Sequence, residues 1–312
     1  MRVYRDINEF NVKIPVVTIG TFDGVHKGHV KVIESLNKKA GEVGGESVIF
    51  TFWPHPRHVL SKNENIPVLT TIEERIELFQ KAGVMHLIIF PFSKEFAMLS
   101  SEDFIRDIIV DKIRTKHLVI GYDHQFGKNR EGNYDMLIKF SGLYGFTIDK
   151  IDPHHINDNN TSSTKIRTAI ESGDLITAKT FLGYDYMLKG KVVKGDQLGR
   201  TLGFPTANIL LGNQMKHIPK IGVYAVEIIY DNKFFQGMLN IGYRPTVSKN
   251  YKNRQIEVHI FKFDQQIYDE EISIIFKYRM RDEKKFDSIE GLKKQLYKDK
   301  IIAENFFNLK IS

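Results

Sequence analysis

The chain contains no cysteine. That absence excludes disulfides, thiolate-bound zinc, cysteine-ligated iron–sulfur clusters and cysteine nucleophiles together. No apolar run approaches the ~20 residues that a membrane-crossing helix needs. The first residues, MRVYRDINEF, carry charge and lack the apolar stretch of a secretory leader. Repeats and low-complexity segments are missing too. Nor is there a block of like charge. Lys and Arg outnumber Asp and Glu by 45 to 38, a net charge of +7, but the basic residues are spread. The densest run, Asp282 to Lys285, contains acids. A nucleic-acid partner calls for a basic stripe, which this pattern lacks. The surplus also suits an enzyme acting on phosphorylated substrates. The expectation is a cytoplasmic protein with no membrane partner, and the sequence specifies no oligomeric state.

What is present is ordinary globular material: 312 residues, 42% hydrophobic and 12% aromatic, enough for two domains. Up to about residue 185, strand and helix signals alternate. Strands are expected at Val16–Ile19, Ser47–Phe52, His86–Phe90, His117–Ile120 and Phe146–Ile151. Helices are expected over Val30–Ala40, Thr71–Lys81, Glu102–Ile113 and Tyr134–Tyr144. Strands separated by helices imply a parallel sheet with ligands at the strands' carboxyl ends. Helical signals run on from Ser163 to Leu182. From Tyr186 the pattern changes to short strands with turns such as Asp231-Asn232, which implies an antiparallel barrel. A last helix opens at Ser288, a suitable N-cap. The domains are expected to be 1–185 and 186–312.

The chemistry-bearing stretch of the first domain is TIGTFDGVHKGH, Thr18 to His29. A buried strand, a turn holding Gly20, Gly24 and Gly28, and a helix N-terminus make an anion site. His26 and His29 can add donors to the same phosphate oxygens. A zinc pair is disfavoured: zincin histidines sit at i, i+4 around a glutamate, whereas these sit at i, i+3 around Lys27 and Gly28. Further on, TFWPHPRHVL places His55 and Arg57 in a loop at the end of a strand. GYDHQFG places Asp123 and Phe126 in another. SSTKIR, Ser162 to Arg167, precedes a helix; Ser163 or Thr164 can cap it. Lys165 and Arg167 oppose the helix dipole in its first turn, which an anionic ligand would explain.

In the second domain, GDQLGRTLGFPTAN spans Gly195 to Asn208. Thr206 and Asn208 alternate onto one strand face and offer oxygen ligands suited to Mg²⁺. Gly199 and Gly203 allow backbone approach to phosphates. No GKS or GKT follows, so this is not a Walker A loop. In IEVHIF, Glu257 and His259 share one strand face. For a lone strand, a plain solvent-facing side is the better explanation.

These motifs carry a resemblance. GTFDGVHKGH resembles the GxFDGxHxGH nucleotidyltransferase signature, related to the HIGH motif of class I synthetases. TFWPHP is similar to the TFxPHP loop of bacterial FAD synthetases, GYDHQFG to the loop beside their flavin, and SSTKIR to the (S/T)STxIR motif whose arginine meets ATP phosphates. GFPTAN resembles the GxPTAN motif of riboflavin kinases, and NIGYRPTV and FDQQIY also match them. The whole chain resembles the prokaryotic bifunctional riboflavin kinase/FAD synthetases. The resemblance implies a Rossmann-like α/β nucleotidyltransferase domain followed by an antiparallel β-barrel kinase domain with a C-terminal helix. It implies ATP as co-substrate, riboflavin, FMN and FAD as substrates or products, and Mg²⁺. The first ATP site would comprise Gly20, Phe22, Gly24, His26, His29, Ser163, Thr164 and Arg167, with flavin near His55, Arg57, Asp123 and Phe126. The second would comprise Gly195, Gly199, Gly203, Thr206 and Asn208, with Glu257 as general base. A kinase whose first domain is a non-catalytic flavin- or nucleic-acid-binding regulator is the alternative. A nucleotidyltransferase for a phosphopantetheine-type substrate would leave the PTAN segment unexplained.

Overall fold

The run PVVTI is buried at all five positions and forms the strand around which the first part of the chain is built. The computed structural model describes residues 1–60, 66–121, 125–151, 161–195, 197–243 and 254–309. It packs as two units, Met1–Ser163 and Thr164–Ser312.

In the first unit, β1 (Arg2–Tyr4) is followed by β2 (Pro15–Ile19), α1 (Lys27–Glu42), β3 (Glu46–Trp53), α2 (Pro56–Leu60) and α3 (Ile72–Lys81). Then come β4 (His86–Pro91), α4 (Ser101–Asp103), β5 (His117–Ile120), α5 (Tyr134–Tyr144) and β6 (Thr147–Lys150). The six strands are parallel, in the order β1-β4-β3-β2-β5-β6. Alternation divides each central strand between two cores. Val17, Ile19, Val48 and Phe50 face one, and Val16, Ile49, Leu87 and Val119 the other. From β2 the chain goes to β3 on one side, while β5 lies on the other. The carboxyl end of β2 therefore sits where the strand order reverses, the place where open α/β sheets hold ligands.

The expected helix over Glu102–Ile113 is α4 followed by a π-wound segment, Phe104–Lys112. The wider turn, with Ile113 N–H donating to the Ile108 carbonyl, keeps Phe104, Ile105, Ile108, Ile109 and Ile113 all in the core. β1, a short parallel edge strand, has no counterpart among the expected elements.

The second unit contains α6 (Ser163–Ser172, from Thr164 onward), α7 (Leu175–Leu182), β7 (Met187–Val193), α8 (Leu198–Thr201), β8 (Ala207–Leu211), β9 (Gly222–Tyr230), β10 (Lys233–Tyr243), β11 (Arg254–Ile260), β12 (Glu271–Arg281) and α9 (Ile289–Asn308). Packing divides the chain ahead of α6 and α7, whereas the sequence pattern changes after them. These helices are tied to the barrel part of the chain, for example through the Ile170 carbonyl, which accepts from Lys220 N–H at 3.2 Å. The six strands close into an antiparallel barrel, β10-β11-β8-β7-β12-β9. Asp231 (φ 49°) and Asn232 (φ 58°) join β9 to β10, two residues of the types that accept left-handed backbone in a tight hairpin. α9 begins after the Ser288 cap and seats Ala303 and Phe307 against Phe204, Met238 and Phe261. Arg281 on β12 pins it with two bonds to the buried Asp299, at 2.9 and 2.6 Å.

Candidate active sites

The turn after β2 is a strained backbone held from several sides. Phe22 (φ 50°) and Val25 (φ 36°) occupy the left-handed region, as does Gly24 (φ 86°). For non-glycine residues this costs about 1–3 kcal/mol each. Asp23 secures the turn: its carboxylate accepts from the N–H groups of Leu69 at 3.0 Å and Thr70 at 3.1 Å. Gly24 N–H donates back to the Thr70 hydroxyl at 2.9 Å. Arg75, wholly buried on α3, donates to the Thr21 carbonyl at 2.6 Å and lies over the Trp53 ring. Ser163 is the first residue of α6, and its hydroxyl reaches the Asp23 carbonyl at 2.9 Å. A helix-capping role for Ser163 is thereby replaced by a bond to the turn.

His26 caps α1, so the helix starts at Lys27 and His29 falls in its first turn. The His26 Nδ1 accepts from His29 N–H at 3.4 Å, which leaves the proton of a neutral ring on Nε2. The two rings stack with centroids 3.6 Å apart, and Phe22 meets His29 edge-on. Burial, reinforced by His26 and Arg75, holds His29 well below the usual histidine range. Its Nδ1 is buried and has no hydrogen-bond partner among the described residues. A neutral donor ring with an unmatched polar atom, at the N-terminus of a helix, suits an anionic ligand.

The remaining expected residues are placed variously. His55 is buried, and its Nδ1 accepts from Arg57 N–H at 3.2 Å at the start of α2; Arg57 is exposed. Phe126 lies in the core against Phe104. Thr164 is exposed and Arg167 buried, both on α6 in the second unit. Asp123 lies outside the described residues, as do residues 244–247 of NIGYRPTV.

In the barrel, β11 pairs with β8 so that Glu257 stands opposite Asn208. The Gln255 side-chain NH₂ donates to both, at 2.6 Å to Glu257 Oε1 and 2.7 Å to Asn208 Oδ1. Thr206 immediately precedes β8. The preceding Pro205 carbonyl accepts from His259 Nδ1 at 2.8 Å, so the histidine that shares Glu257's strand face orients the threonine's entry into the strand. Burial pulls His259 below its usual range, opposed by that bond. The glycines have steric reasons. A Cβ on Gly195 would run into the Asn208 amide, and one on Gly199 into the Phe204 carbonyl, while Gly203 has φ +85°.

Sequence reasoning assigned no role to Asp23, Arg75 or Gln255. Arg75 had a signal: it occupies the buried face of α3 between Ile72 and Phe79, where a cation needs partners. Gln255 had one too, two residues before Glu257 on the same strand face. The partners of Asp23 are remote in sequence and left no local trace.

The two units correspond to two family models. Residues 11–165 match the FAD synthetase model, and residues 182–307 match the riboflavin kinase model. The chain is 35% identical to the bifunctional riboflavin kinase/FMN adenylyltransferase of Escherichia coli K12 over 295 residues, 94% of this chain and 93% of that one. It is 39% identical to the Listeria monocytogenes protein of the same name over 306 residues, 97% of this chain and 94% of the relative. It belongs to the bifunctional riboflavin kinase/FMN adenylyltransferase family. The Bacillus subtilis member is 38% identical over 297 residues, 94% of this chain and 92% of the relative. A solved Streptococcus pneumoniae structure described as a macrolide-efflux protein shares the fold along the whole chain. Its TM-score is 0.84 at 28% identity, covering 97% of this chain and 98% of that one. Among the described residues here, no helix is long and apolar enough to cross a membrane. Family membership through both domains does not favour the reading of the first domain as a non-catalytic regulator.

Proposed function

We propose that the two reactions of this bifunctional riboflavin kinase/FMN adenylyltransferase run at separate sites, one in each domain. In the first reaction riboflavin and ATP give FMN and ADP. In the second, FMN and ATP give FAD and pyrophosphate. The observation that supports this division is the grouping of Glu257 with Asn208 in the barrel, while His26 and His29 stack at the switch point of the parallel sheet.

In the kinase step, Glu257 takes the proton of the ribityl 5′-hydroxyl as that oxygen attacks the γ-phosphorus and ADP leaves. The Gly195–Gly203 loop covers the phosphates. The Thr206 hydroxyl and Asn208 carbonyl oxygen, hard donors next to a carboxylate, fit Mg²⁺ and would hold it. When bound, Mg²⁺ neutralises charge on the ATP phosphates.

The adenylyl step needs no general base, because the FMN phosphate is already an anion. Its oxygen attacks the α-phosphorus of ATP, and pyrophosphate departs. His26 and His29 donate to the phosphoryl oxygens, and the dipole of α1 favours the charge that develops there. Gly20, Phe22 and Gly24 shape the turn, and Ser163 completes it. By their motifs, Thr164 and Arg167 contact ATP phosphates, and His55, Arg57, Asp123 and Phe126 serve the flavin.

The test is a product assay on the full chain with riboflavin, ATP and Mg²⁺, resolved by chromatography. Glu257→Gln should lose FMN formation and keep the conversion of added FMN to FAD. His29→Ala should do the reverse. A folded variant that loses both activities would overturn the division into two sites.

A further inference from the structure

We infer that Gln255 is a positioning residue of the kinase site, setting the orientation of the Asn208 side-chain amide so that its oxygen, not its nitrogen, is presented beside Glu257. This rests on the assignment of Glu257 and Asn208 to the kinase reaction.

Donor and acceptor chemistry sets the orientation of both amides. An ionised carboxylate can only accept, so the group that Gln255 turns toward Glu257 must be its NH₂. That contact is 2.6 Å. The same nitrogen lies 2.7 Å from Asn208 Oδ1. A nitrogen already committed as a donor needs an acceptor there, and the amide oxygen of Asn208 supplies it. The Asn208 Nδ2 is consequently turned toward Gly195, where a Cβ would strike it. The amide of an isolated asparagine has no such bias, since its oxygen and nitrogen have nearly the same shape. A hard cation binds only the oxygen. The carboxylate thus dictates the glutamine, and the glutamine dictates the asparagine.

Ladder register makes the arrangement possible. Glu257 and Asn208 face each other across β11 and β8, and Gln255 lies two residues along on the same face as Glu257. One side chain can therefore span both without disturbing the strands.

The test uses the full chain with Gln255→Leu and the near-isosteric, uncharged Gln255→Met. Kinase turnover should fall about tenfold or more in each, the usual consequence of losing a hydrogen bond to a charged group. The half-saturating Mg²⁺ concentration in the leucine variant should rise several-fold, with conversion of added FMN to FAD unchanged. A second readout does not depend on turnover: calorimetric binding of ADP with Mg²⁺ against ADP with EDTA. The gain in affinity brought by Mg²⁺ should shrink several-fold in Gln255→Leu. If the leucine change disturbs folding, seen as a lowered melting temperature, the methionine variant carries the test, because it keeps the length and neutrality of the side chain and removes the donor. Kinase turnover and the Mg²⁺ gain within about twofold of the parent chain would overturn the inference. Glu257→Gln run in parallel separates the causes. If that variant keeps kinase activity, the reading of the site itself has failed; if it is inactive while Gln255→Leu is normal, only the role of Gln255 has.

Discussion

Asp23 and Thr70 are joined twice, the Asp23 carboxylate accepting from the Thr70 N–H at 3.1 Å and from its hydroxyl at 3.3 Å, while that hydroxyl accepts from Gly24 N–H at 2.9 Å. This clasp holds a turn whose flanking residues, Phe22 and Val25, sit in the left-handed region. Asp23→Ala leaves buried N–H groups of Leu69 and Thr70 without their acceptor, at about 1–3 kcal/mol for each unsatisfied group. The expected outcome is loss of FAD formation from FMN with riboflavin phosphorylation retained. Denaturant unfolding should show the stability loss, and the two product assays the selectivity.

Gly195→Ala should be selective in the opposite sense. The new methyl would enter the space of the Asn208 amide and push it from its place beside Gln255. Displacement of a site group by ~1 Å costs up to about a hundredfold in rate. Riboflavin kinase turnover should fall sharply, FMN-to-FAD conversion should stay unchanged, and the melting temperature should move little.

Acid should weaken the fold in part through His29. Burial depresses its folded-state pKa below the unfolded value of about 6.5. In the interval between those two values the unfolded chain binds more protons than the folded one. The stabilisation is therefore fully present above about pH 6.5 and is lost as pH falls toward the folded value. His259 and His117 are also depressed by burial and act in the same direction. The His29 share is the difference between the parent chain and His29→Gln in the slope of melting temperature against pH, from ~7 to ~5. The variant should have the shallower slope.

The pair Arg281–Asp299 fixes α9 to the barrel, and Asp299 is fully buried. Asp299→Ala strands the guanidinium and removes the partner of Gln295 as well. Breaking a buried pair by deleting one member typically costs about 3–5 kcal/mol. The measurement is urea unfolding, with kinase activity assayed at low temperature where the variant remains folded.

Much of the architecture is legible because it is written in local periodicity. His117–Ile120 and Tyr134–Tyr144 fall where apolar spacing puts them, and the barrel strands follow the alternation of their residues. The expected start of α1 at Val30 is late because the cap is a histidine, a residue whose capping depends on the ring being turned back onto the backbone. The π-wound segment escapes sequence reading because its apolar spacing also fits an ordinary helix. Among the site residues, Glu257 and Asn208 are visible through their motifs. Their facing each other is not, since ladder register between strands separated in sequence leaves no local mark.

By itself, the sequence determined the order of the two domains, the residue types available for chemistry and, through the missing cysteines, the chemistries excluded. These depend on composition and on interactions within a few residues. Only the tertiary structure decided which side chains hold those residues in place: Thr70 clasped to Asp23, Arg75 beneath Thr21, Gln255 between Glu257 and Asn208. Such pairings are set by sheet register and close packing of distant segments. Hydrogen bonding acts over about 3 Å, so its partners become known only when the fold has brought them together.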